Sequence, residues 1–172
     1  MLYNGYGAHN IQGIGDKHVP LVHNVYGTDF VVGLSDQAPD HLNLLFNTAV
    51  GQDYLSTRYG IDAGLVSGLT DLGLSSIANV VASIKLAKYL NLGENDVVLT
   101  VATDGADLYK TELEIASTRH FPNGFGTIDA AEVFGQFVRQ PLPITCWNSI
   151  GAAGNVSLTS ATTPGSNNKA SM

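Results

Sequence analysis

The run Val97-Val98-Leu99-Thr100-Val101-Ala102 constrains this chain most. It is apolar and largely β-branched with no alternation, the pattern of a strand buried on both faces, as in a parallel sheet. Such a strand needs helices around it, and its neighbours in sequence supply helical patterns. Ser75-Ser76 are helix-starting residues, after which Ile77, Val80, Val81, Ile84 and Ala87 recur at helical spacing. Lys88 lies near the end that the helix dipole favours for a cation, and Gly93 suits the position just past the last turn. After the run, Asp104-Gly105 turns the chain and residues 107–117 read as another helix. Upstream, Phe30 to Leu34 reads as a short buried strand. Ser35-Asp36 and Pro39 then start a helix over Asp40 to Asn47 with Leu42, Leu45 and Phe46 inward. Glycines 51, 60, 64, 68 and 73 leave residues 47–74 without a clear period, and Gly64-Leu65-Val66-Ser67 is compatible with a short strand. Strand, helix, strand, helix predicts an α/β chain, a three-layer αβα arrangement with a mostly parallel sheet.

The remainder is plainer. Residues 121–126 read as a loop, and Ile128 to Arg139 as one amphipathic helix. Residues 151–172 are almost wholly small and polar, too poor in apolar surface to offset the entropy of ordering. The expected division is therefore 1–140 as the folded portion and 141–172 as an irregular, disordered tail. A net charge of −7 gives no electrostatic footprint for nucleic acid or an anionic membrane. No apolar run approaches the roughly 20 residues of a membrane helix, and no basic segment with an apolar core opens the chain. The single Cys146 excludes an internal disulfide and suits a reducing compartment, so a cytoplasmic protein is expected.

Three segments, in this order, resemble the end of a fold-type-II pyridoxal-phosphate enzyme, the group of cysteine synthase, cystathionine β-synthase and the tryptophan synthase β chain. Gly7-Ala8-His9-Asn10-Ile11-Gln12-Gly13-Ile14-Gly15 is similar to the glycine-rich loop near the cofactor. Gly73-Leu74-Ser75-Ser76-Ile77-Ala78-Asn79-Val80 is similar to the family's Gly-Ile-Ser-Ser-Gly-Ala-Asn segment opening a long helix. Val97 to Ala102, followed by Thr103-Asp104-Gly105-Ala106-Asp107-Leu108-Tyr109, is similar to the last core strand and its acidic turn. Val31 to Asp36 resembles the strand between the first two. Ile77 stands where the family has glycine, and Asn10 where a lysine is common. The stretch from Asn47 to Gly73 is longer than in the usual cysteine synthase. The family's Schiff-base lysine, its substrate-carboxylate loop and its phosphate cup precede the first matched segment. The resemblance thus implies the C-terminal portion of an amino-acid lyase or β-replacing transferase, inactive alone, with no catalytic residue of its own. The alternative is a non-catalytic binding or regulatory module derived from such an enzyme.

The cofactor implied is pyridoxal 5′-phosphate, an electron sink that the protein positions and tunes. The resemblance makes Ser75 the neutral hydroxyl facing its pyridine nitrogen; the residue alone reads equally as a helix cap. Gly13 and Gly15 would let backbone approach the cofactor, or form an ordinary glycine loop. Asp104 follows a strand's carboxyl end, where open α/β sheets bind ligands, and is also placed to cap the next helix. The implied small-molecule partner is an amino acid, with homo-oligomerisation left open. The five histidines carry no carboxylate cluster, so neither a metal site nor a Ser-His-acid triad is expected. Lys17 reads as a solvated loop residue.

Overall fold

The computed structural model describes residues 6–11, 17–24, 27–139 and 146–148. Six α-helices dominate: α1 (Gln37–Asn47), α2 (Ala49–Tyr59), α3 (Ala63–Leu69), α4 (Leu74–Leu90), α5 (Lys110–His120) and α6 (Thr127–Phe134). A 3₁₀ turn over Ala106–Tyr109 precedes α5, and α6 continues into a π-helical turn over Gly135–Arg139. Two short strands, β1 (Phe30–Val32) and β2 (Cys146–Asn148), pair antiparallel with Val31 opposite Trp147.

Helix α1 forms the centre because its pattern is apolar on more than one side: Ala38, Leu42, Leu44, Leu45 and Phe46 are all buried. It touches α2, α3, α4, α5 and α6. Its Leu42, Leu45 and Phe46 join Leu55, Val66, Ile77, Val81, Ala130, Val133 and Phe137 in one core. Each fully buried leucine there contributes about 1.5–3 kcal/mol relative to exposure. Local chemistry sets the boundaries around it. The Thr48 side chain accepts from Gly51 N–H to start α2, and Gly60 ends it in the left-handed region at φ 62°. Asp62 accepts from the N–H groups of Gly64 and Leu65 to start α3.

Several sequence expectations change. Gly64–Ser67 lies within helix α3, since the Asp62 cap outweighs the low helical propensity of its glycines. Helix α4 starts one residue ahead of Ser75-Ser76, with Gly73 at the N-cap and no side-chain cap bond. Its C-terminal left-handed residue is Asn91, at φ 51°, and not Gly93. Val80, placed on the apolar stripe by spacing, is exposed, whereas Ile77 and Val81 are buried. The helix read from Ile128 to Arg139 is α6 with its π-turn, burying Ala130, Val133 and Phe137 and leaving Ile128 exposed. The expectation of an irregular tail over 141–172 lies outside the described residues, apart from β2.

The largest difference from the expectation concerns the sheet. Among the described residues the only ladder is the antiparallel pair β1–β2, and no parallel sheet is present. Residues 97–102 belong to no helix or strand and are exposed. Composition gave that segment a preference for burial in a sheet; a ladder also requires an adjacent strand, and the described residues offer it only the side chain of Asn79 on α4. No helix among the described residues is long and apolar enough to cross a membrane.

Candidate functional site

The site is built around the N-terminus of α4. Two short segments clamp together there: Gly73 N–H donates to the Asp104 carbonyl (3.2 Å), and Ala106 N–H to that of Asp71 (3.1 Å), flanking a bridge between Leu72 and Gly105. This fixes Asp104 against the first turn of α4. Ser75 Oγ donates to Asp104 Oδ2 at 3.0 Å, and the Tyr109 hydroxyl donates to the same oxygen. Ser75 Oγ also lies 3.4 Å from the Tyr109 hydroxyl. Ser76 Oγ donates to the Asp104 carbonyl at 3.1 Å, and Thr103 Oγ1 to Asp104 Oδ1 at 3.3 Å. A carboxylate held by hydroxyls at the positive end of a 17-residue helix is electrostatically favoured. Glycine at 73 is a steric requirement, because a Cβ there would stand 2.6 Å from Asp104 Oδ1 and 2.9 Å from the Tyr109 ring.

Beneath these polar groups lies a second apolar cluster of Ile11, Leu74, Ala78 and Tyr109, with Leu34 against it. Its members come from four separated stretches of sequence: the first loop, the segment after β1, the start of α4 and the turn before α5. The first loop is also tied to α1. Asn10 Nδ2 donates to both carboxylate oxygens of Asp40 at 3.0 Å. Burial pushes the Asp40 carboxyl above its usual range, and the Asn10 bond opposes that rise. A cavity of about 500 Å³ adjoins the far side of Tyr109, lined also by Asn43, Asn47, Asp71 and Lys110.

Of the residues singled out from sequence, Ser75 and Asp104 are brought into direct contact. Ser75 is fully buried and its hydroxyl is bound to Asp104, so it does not act as a helix cap. Asp104 does not cap the following helical turn, whose N-cap is Gly105. Gly13 and Gly15 lie outside the described residues. Lys17 is exposed, as a solvated loop residue would be. Among the described residues no group of His, Cys, Asp and Glu could hold a metal ion. Sequence reasoning missed the Asn10–Asp40 pair, 30 residues apart, since no local pattern signals such a bond. It also missed His41, whose ring meets those of His120, Phe121 and Phe137. Burial and the nearby His120 lower its pKa.

The cluster holds a fully buried serine hydroxyl in the first turn of a helix, its hydrogen given to Asp104, with the Tyr109 hydroxyl beside it. Among the described residues no lysine enters the cluster: Lys85 and Lys88 reach the carbonyls of Gly33 and Val138, and Lys110 pairs with Asp107. Compared with family models, curated proteins and solved structures, the chain matches none of them.

Proposed function

We propose that this chain is the C-terminal segment of a pyridoxal-phosphate-dependent lyase or β-replacing transferase acting on amino acids, and that it contributes the pyridine-nitrogen side of the cofactor site. The observation that carries this reading is convergence. Ile11, Leu34, Leu74–Ser75 and Asp104–Tyr109 come from the four segments that resemble the family, and they meet in one cluster. Residues so far apart have no local reason to gather; a shared site is one. The doubly covered parallel sheet of that family belongs to this proposal, with residues 97–102 as one of its strands.

The bound cofactor would supply the electron sink for reaction at the substrate's β-carbon. Ser75 would hold the ring nitrogen through its hydroxyl, which requires that the hydrogen now given to Asp104 be shared or turned. Asp104 and Tyr109 would hold Ser75 in place. A hydroxyl does not keep a pyridinium protonated, which moderates the sink and favours elimination or replacement over transamination. With no lysine in the cluster among the described residues, the chain by itself is proposed to be inactive. That same feature favours the second reading, a non-catalytic module that retains the half-site.

Pyridoxamine phosphate, which lacks the aldehyde and so cannot react with surface lysines, is the probe. Titrated into the isotope-labelled chain, it should move the amide resonances of residues 73–77, 104–109 and Ile11. Ser75→Ala should weaken that binding by about tenfold, the loss of roughly one charge-free hydrogen bond. Unchanged resonances at millimolar probe, or equal binding by the alanine variant, would refute the cofactor assignment.

A further inference from the structure

Asn43 is a polar residue in the most apolar stretch of α1. Leu42, Leu44, Leu45 and Phe46 are buried around it, and Asn43 itself is only 3% exposed. A carboxamide taken out of water costs free energy unless its two N–H donors and its oxygen are bonded. Asn47, one turn on, meets part of that need. Its Nδ2 donates to Asn43 Oδ1 at 2.8 Å and to the Asn43 carbonyl at 3.1 Å. A backbone carbonyl only accepts, so the Asn47 atom that touches it is the nitrogen. The Asn43 side-chain atom touched by that same nitrogen is then the oxygen. The pair is left with one amide nitrogen, Asn43 Nδ2, and one amide oxygen, Asn47 Oδ1, that bond nothing among the described residues.

Both residues line the cavity of about 500 Å³ beside Tyr109, a volume that suits a small molecule. Asn43 marks its buried end. Three charged residues that also line it are exposed. The Asp71 carboxylate bonds nothing among the described residues. Lys110 Nζ pairs with Asp107 at 2.9 Å, with side chains 78% and 90% exposed. An exposed pair of this kind contributes little, so Lys110 is free to turn to a bound anion. Neither Ser75 nor Asp104 lines the cavity.

An open N–H beside an open C=O is the complement of another carboxamide, which returns an oxygen to the first and an N–H to the second. A carboxylate has no N–H for Asn47 Oδ1, and an apolar group serves neither atom. At the exposed end, Asp71 and Lys110 match an ammonium and a carboxylate. We propose that this cavity binds a free α-amino acid whose side chain ends in a carboxamide. Asn43 and Asn47 read that carboxamide, and Asp71 and Lys110 hold the α-ammonium and α-carboxylate. The site stands whether or not pyridoxal phosphate binds at Ser75, and failure of pyridoxamine phosphate to bind would leave it untouched.

L-Glutamine, L-glutamate and L-methionine are the probes, titrated in turn into the isotope-labelled chain without cofactor. Methionine has the length and net charge of glutamine but no amide. Glutamine should move the backbone amides of 43, 47, 71 and 110 and the side-chain amides of Asn43 and Asn47, and leave those of 75–77 in place. Glutamate and methionine should each bind at least about tenfold more weakly, because each leaves an amide group of the pair unbonded. Asn43→Leu should weaken glutamine by at least about tenfold without lowering the melting temperature. Lys110→Met, at an exposed position that does not endanger folding, should weaken it by roughly threefold or more. Equal binding of glutamine and methionine would overturn the proposal, as would unchanged glutamine affinity in either variant. No resonance shift at millimolar glutamine would also overturn it. Shifts at 75–77 in place of 43 and 47 would overturn it in favour of the Ser75 cluster.

Discussion

Gly73→Ala tests the packing on which the candidate site depends. The added Cβ would meet Asp104 Oδ1 at 2.6 Å, Tyr109 Cε2 at 2.9 Å and the Asp104 carbonyl oxygen at 3.0 Å. The carboxylate end could swing aside, at the expense of its bonds to Ser75 and Tyr109. The carbonyl cannot withdraw without losing the Gly73 N–H bond that it accepts. Overpacking of this kind costs about 1–3 kcal/mol. Backbone strain adds nothing, since φ −73° suits alanine. The entropy removed from the unfolded chain returns about 0.4–1 kcal/mol. The net destabilisation is therefore about 1–2 kcal/mol, which for a chain of this size lowers the melting temperature by roughly 2–8 °C. Thermal unfolding followed by circular dichroism measures it. Gly68→Ala is the control, because its Cβ meets nothing within 4 Å and the residue is helical. That substitution should stabilise by about 0.5–1 kcal/mol. If Gly73→Ala melted at or above the parent while Gly68→Ala rose as expected, the close approach of Gly73 to Asp104 and Tyr109 would be refuted.

Two titrating groups yield further predictions. Asn10→Ala removes the side-chain donor to the buried Asp40 carboxylate, costing about 1–3 kcal/mol at neutral pH by urea unfolding. Because the folded pKa of Asp40 is already raised above 3.8 and this change raises it further, the loss should shrink as the pH falls through that window. A loss independent of pH would contradict the bond. His41 is the opposite case: its folded pKa lies below 6.5, so the unfolded chain takes up the proton first and stability falls as the pH drops through 6.5. Its Nε2 is buried without a partner. His41→Phe, set among Phe121, Phe137 and the His120 ring, should flatten that acid dependence and raise stability by about 1 kcal/mol, the desolvation cost of the orphaned nitrogen. A variant with the parent's pH profile would show that another group is responsible.

The helices that sequence displayed best are those whose information is local. Residues 40–47 carry an apolar pattern that needs only one neighbour of any kind, and α1 forms there with Leu42, Leu45 and Phe46 inside. Residues 77–87 behave likewise, although the buried stripe excludes Val80. Residues 64–67 were less legible because glycine suppresses the pattern, and a cap at Asp62 decided the helix. The turn at Asp104-Gly105 and the helical stretch after it were also readable, since turn chemistry acts within a few residues.

The amino-acid sequence by itself displayed the helices over 40–47, 77–87, 107–117 and 128–139, left those within 47–74 unread, and gave residues 97–102 a strand-forming composition. It also marked Ser75 and Asp104 as chemically notable. Only the tertiary structure decided that these two touch, that Tyr109 and Ile11 join them, and that Asn10 reaches Asp40. It likewise decided that the strand-forming run lies open. Helical hydrogen bonds close within four residues and so are written locally. A ladder, a buried carboxylate and a shared hydroxyl each need a second segment, and no local pattern specifies where that segment will be.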